Sequence, residues 1–168
     1  MAGREVNRER RLALAVRDNR ARAWHDRLPE LLGVELDATA FRRSVEVEDV
    51  EAVVRERRHD FGNVSRRRWT IDLKAEALAT LGRFCAVREP VVLLGIEPAD
   101  FFAVALPDAA FLRRPESLVS EVPYLAVLAQ SGSAGLIFEW AWTDPTEGDW
   151  GELATWGGFE SAASAVRL

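Results

Sequence analysis

YLAVLAQSGSAGLIFEWAW, residues 124–142, decides the fold. Two β-prone runs, YLAVLAQ and LIFEWAW, flank SGSAG, whose two glycines and two serines are turn chemistry. The stretch therefore reads as a β-hairpin. In its second run Leu136, Phe138, Trp140 and Trp142 alternate with Ile137, Glu139 and Ala141. A period of two sends the first set to one face and the second to the other.

Upstream, VVLLGI and FFAVAL (91–96 and 101–106) are separated by the turn-forming EPAD, which gives another hairpin. Two consecutive hairpins predict a four-stranded antiparallel sheet. Residues 107–118 read as a connector with a helical turn.

The period before residue 90 is helical. Residues 4–28 read as a long amphipathic helix interrupted by Pro29, with PELLGV as a turn ended by Gly33. Asp37 is placed to N-cap a short helix through Phe41. Over 46–58, acidic residues crowd the start and Arg55, Arg57 and Arg58 the end, so both ends complement the helix dipole. Val47, Val50 and Val54 supply its apolar stripe, and Glu51 precedes Arg55 by four. FGN at 61–63 breaks the chain. Ser65 to Trp69 then leads into a third helix from Asp72 to Ala86, with Leu73, Ala77, Leu78, Leu81, Phe84 and Cys85 on one face.

The expectation is a single α+β domain over 1–168, with helices packed on one face of the four-stranded sheet and residues 1–33 as a helical arm. Its core is Val50, Val54, Leu78, Leu81, Phe84, Val92, Leu94, Phe102, Val104, Leu125, Val127, Phe138 and Trp140.

Composition narrows the function classes. The 168 residues are 48% hydrophobic and 29% charged, with a mean hydropathy of −0.10, as in an ordinary globular chain. No apolar run approaches the roughly 20 residues of a membrane helix, and MAGREVNRERR lacks the apolar stretch of a secretory signal. A single cysteine allows no internal disulfide and no Cys-rich zinc site. These features point to the cytoplasm, with no membrane partner. Net charge is −5, but residues 1–68 carry +3 and residues 69–168 carry −8. Such a dipole steers association. Lys74 is the one lysine among many arginines, a bias expected of a GC-rich, bacterial coding sequence.

Enzyme motifs are missing. Neither GxxxxGK[ST] nor GxGxxG occurs. GSAG at 132–135 lacks the glycine two before Ser133 that a nucleophile elbow needs. Cys85 falls on the apolar helix face, and His25 and His59 sit in polar surface stretches. In DPTEGDWGE the carboxylates of Asp144, Glu147, Asp149 and Glu152 fail the calcium-loop spacing, because Thr146 and Gly148 occupy the wrong positions. No metal or other cofactor is expected.

What remains is interaction. Trp150 and Trp156 stand among acidic residues at the C-terminal end, where an aromatic either folds onto the core or anchors a partner. The leading expectation is a non-enzymatic protein that binds another, basic protein through Asp144, Glu147, Asp149, Trp150, Glu152 and Trp156. A second copy of the chain is the other candidate partner. In size, acidity and α+β layout the chain is similar to bacterial immunity proteins and antitoxins, a likeness of fold class and charge that no motif carries. One alternative is a small hydrolase with carboxylates as acid and base in a cleft between sheet and helices. The other is nucleic-acid binding through Arg66, Arg67, Arg68 and Trp69, which the acidic total charge disfavours.

Overall fold

The computed structural model describes residues 2–60, 64–70, 75, 78, 79, 82, 88–97, 100–113, 115–141, 150–157 and 159; at 2–5, 65–70, 113, 140, 141 and 150 it describes the backbone. Helix α1 spans Ala2–Ala21, α2 Arg27–Leu32, α3 Glu48–His59 and α4 Pro115–Glu121. The strands are β1 Ser65–Thr70, β2 Val91–Gly95, β3 Phe102–Leu106, β4 Tyr124–Ala129, β5 Gly135–Ala141 and β6 Trp150–Trp156. They form one sheet in the order β1-β6-β5-β4-β2-β3, and every neighbouring pair is antiparallel.

Both expected hairpins form, as β2–β3 and β4–β5, and they join through β2–β4. The sheet is nevertheless six-stranded rather than four-stranded. β6 folds back on β5, and β1 caps β6 as the outer strand. Arg66 to Trp69 therefore lie in a strand, not in the lead-in to a helix. Three consecutive arginines hide the period of two that would have announced it.

The helices also cover both faces, where one was expected. Val91, Leu93, Leu125, Val127, Leu136 and Phe138 pack beneath Leu28 and Leu32 of α2 and Leu118 and Val119 of α4. Val92, Leu94, Ala126, Leu128 and Ile137 meet Ala21 of α1 and Val54 of α3 on the other side. All five positions of β2 are buried, so VVLLG has no polar side to alternate with. An unbroken apolar run is the pattern of a strand covered twice.

Of the expected core, Val54, Val92, Leu94, Phe102, Val104, Leu125, Val127 and Phe138 are buried, while Val50 and Leu78 are partly so. Leu81, Phe84 and the Trp140 side chain lie outside the described residues, as does most of the expected 72–86 helix; its residues 75, 78, 79 and 82 are helical.

Local chemistry sets the remaining elements. The first helix ends at Ala21, a 3₁₀ turn at Arg22–Trp24 follows, and Pro29 lies inside α2 instead of interrupting a helix. Proline is tolerated there because the first turn has no N–H acceptor to lose. Gly33 ends α2 in the left-handed region at φ 64°. Asp37 accepts from the Thr39 and Ala40 N–H groups, but it closes a turn rather than capping a helix. The next residues lie along β3: Arg42 N–H donates to Ala103 and Ala105 N–H to Ala40, each at 2.8 Å. Edge strand β3 is covered by this segment. His25, expected as a surface residue, is half-buried and stacks on Phe41 with ring centres 3.9 Å apart.

Candidate functional site

The acidic C-terminal end and the RRRW stretch turn out to be neighbours. In β6, Glu152 stands between Glu139 of β5 and Arg68 of β1. Arg67 lies opposite Leu153, Arg66 opposite Ala154, Trp69 opposite Gly151 and Thr70 opposite Trp150. Like charges directly opposite each other destabilise a sheet, and opposite charges stabilise it. Glu139 and Glu152 are such a like pair. Glu139 is answered from α3, where Arg58 Nε lies 2.7 Å from its Oε1, and Glu152 has Arg68 at the facing register position.

Trp156 does not belong to an open face. It is 3% exposed and packs among Ala154, Ile137 and Leu128. Its Nε1 donates to the Gly132 carbonyl at 3.4 Å, and a Cβ on Gly135 would lie 2.4 Å from its ring. Gly135 thus makes room for the indole. This corrects the expectation of Trp156 as a docking residue: β6 is an inner strand, and its alternation sends Trp156 into the core. Glu152 is half-buried, and Trp150 is the first residue of β6. Asp144, Glu147 and Asp149 lie outside the described residues.

A second gathering of charge went unread in the sequence. A cavity of about 350 Å³ opens between α3 and the end of β2. Its helical side carries Glu51, Val54, Arg55, Arg58 and His59; its sheet side carries Leu94, Gly95 and Ile96, and Arg17 enters from α1. The volume is at the small end of ligand pockets.

Each cation is held differently. The Arg17 guanidinium grips Glu51 with both terminal nitrogens and lies 3.8 Å from the centre of the Phe101 ring. Glu51 therefore pairs across to α1, not with Arg55 one turn along α3. Arg58 is held by Glu139 and lies 5.9 Å from the Tyr124 ring centre. Arg55 and His59 are exposed, and among the described residues neither has an ion-paired or hydrogen-bonded partner.

The spacing explains the grouping. Positions 58 and 59 lie three and four residues after 55, about one turn along α3, so they share the helix flank beside buried Val54. From the sequence these arginines read as dipole compensation, with Arg55 also one turn from Glu51. That role is real, but the exposed carbonyls of a helix end amount to about half a negative charge. Arg57, Arg58 and His59 in the last turn already answer it, and Arg55 is surplus. The signal that could have found the site is this excess of cations next to an apolar stripe. Planar guanidinium groups here can take the oxygens of a carboxylate or phosphate in pairs.

Among the described residues no group of three or more His, Cys, Asp or Glu could hold a metal ion, and no helix is long and apolar enough to cross a membrane. No protein family matches the chain, and no curated protein or solved structure is significantly similar to it.

Proposed function

We propose that this is a binding protein for a small anionic ligand, held in the cavity between α3 and β2. One observation carries the reading: Arg55 and His59 face a cavity of ligand size without a carboxylate partner among the described residues, beside Arg58 on the same flank. Anions are retained by charge-assisted hydrogen bonds, each contributing on the order of 1.5–3 kcal/mol.

The hydrolase alternative finds less support. Glu51 is the one carboxylate among the described lining residues, and it is ion-paired with Arg17. Acid–base catalysis by a carboxylate pair wants one of the two neutral. Docking of a basic protein, or of a second copy, on the C-terminal face is also the weaker reading, because Trp156 is in the core and the half-buried Glu152 has Arg68 opposite. Binding of nucleic acid by Arg66, Arg67, Arg68 and Trp69 is weaker still, since Arg68 faces Glu152 of the neighbouring strand.

The test is an amide NMR titration of the full chain with acetate, inorganic phosphate and benzoate at constant ionic strength. At least one anion should shift the Arg55, Arg58, His59 and Ile96 amides saturably, with a dissociation constant on the order of millimolar for so few heavy atoms. Arg55→Ala should weaken that binding about tenfold. Shifts that stay linear for all three anions would overturn the proposal.

A further inference from the structure

We infer that the cavity selects amphipathic organic anions, taking the charged group on α3 and an apolar body against the end of β2. This rests on the anion-binding reading above and goes beyond it to the class of ligand. The two walls differ in chemistry. Along α3 stand Arg55, Arg58 and His59; along β2 stand Leu94, 2% exposed, and half-buried Ile96, with buried Val54 beside them.

The remaining polar wall is already satisfied. Arg17 and Glu51 neutralise each other, and the flat side of Arg17 is spent on the Phe101 ring. Among the described residues, cationic capacity is therefore confined to one flank, and the opposite flank offers no donor side chain. An inorganic oxyanion entering here would give up hydration against the apolar flank and gain no hydrogen bond in return. A carboxylate or phosphate ester with an aromatic or alkyl body satisfies both flanks at once. Its charged end meets the Arg55 guanidinium beside Arg58, and its body covers what remains exposed of Ile96. The cavity volume also exceeds what a lone oxyanion fills.

The experiment is a ranking on the unaltered chain by the same amide titration, using acetate, butyrate, benzoate, inorganic phosphate and neutral benzyl alcohol. Each methylene buried against β2 should tighten binding roughly fourfold, so butyrate, with two more, should exceed acetate by about fifteenfold, and benzoate should exceed both. Phosphate should bind no better than acetate. Ile96→Ser should erase most of the advantage of butyrate over acetate. Equal affinities for acetate, butyrate and benzoate, or a preference for phosphate, would overturn the selectivity and leave the anion site standing. Benzyl alcohol binding as tightly as benzoate would overturn the anion site itself. The probe series needs no variant, so a poorly folded Ile96→Ser protein would not obscure the answer.

Discussion

Arg66, Arg67 and Arg68 and the Arg55–His59 flank stand only a few residues apart in the chain, yet the fold treats them in opposite ways. The first three lie in β1 alongside β6, where Arg68 faces Glu152 in register. On α3, Arg58 reaches a carboxylate across the sheet, while Arg55 and His59 have none among the described residues and border a cavity. Density of arginine in a sequence therefore says little about availability. What matters is whether the neighbouring element brings a carboxylate to the same place, and only the fold decides that.

The largest effect separating these regions should come from Trp156. A buried indole removed from the β6 side leaves a cavity, so Trp156→Ala should cost about 3–5 kcal/mol in urea unfolding. A docking residue would instead lose partner binding with stability within about 0.5 kcal/mol of the parent. Folding at parental stability would return Trp156 to the surface and undo the contrast drawn here.

A middle-sized effect should join the two regions through Glu139. It is 15% exposed in its side chain and holds Arg58 at 2.7 Å, while Glu152 lies opposite. Glu139→Ala should cost roughly 1–2 kcal/mol, between the values for exposed and buried ion pairs. It also takes the Glu139 carboxylate away from Arg58, which lines the cavity, so benzoate should bind tighter even as the protein becomes less stable. Arg68→Ala, by comparison, should cost at most about 1 kcal/mol and leave benzoate affinity unchanged. Weaker benzoate binding by the Glu139 variant would show that Arg58 does not serve the cavity.

Much of this contrast was hidden from the sequence for identifiable reasons. The hairpins were legible because FFAVAL, LIFEWAW and the SGSAG turn carry local signals, and α3 because its charges match its dipole. β1 was not, since SRRRWT has no alternation and Trp69 is its one large apolar residue. β6 was obscured by WGELATW, in which glycine and threonine interrupt the apolar pattern; its pairing with β5 is a long-range matter. The cavity was the least legible feature. It needs α1, α3 and β2 together, and no local pattern encodes the approach of Leu94 to Arg55. Core positions were easier, because burial follows from period alone.

The smallest expected effect concerns arginine answered within its own segment, a third arrangement beside the two already compared. Glu46 takes the Arg43 backbone N–H at 2.7 Å and the Arg43 guanidinium at 3.3 Å, and these contacts hold its carboxyl below the ordinary range. Asp37 is likewise lowered, first by the Thr39 hydroxyl and then by the Thr39 backbone N–H. A carboxyl lowered in the folded state stabilises the protein above its unfolded pKa, about 4 for these groups, and the contribution fades as pH falls through the folded value. Both groups are solvent-exposed, so the loss should be small. Thermal midpoints measured from pH 6 to pH 3 should therefore fall slightly less for the Asp37→Asn, Glu46→Gln double variant than for the parent. A parallel fall in the two proteins would mean that these local contacts do not distinguish folded from unfolded chains.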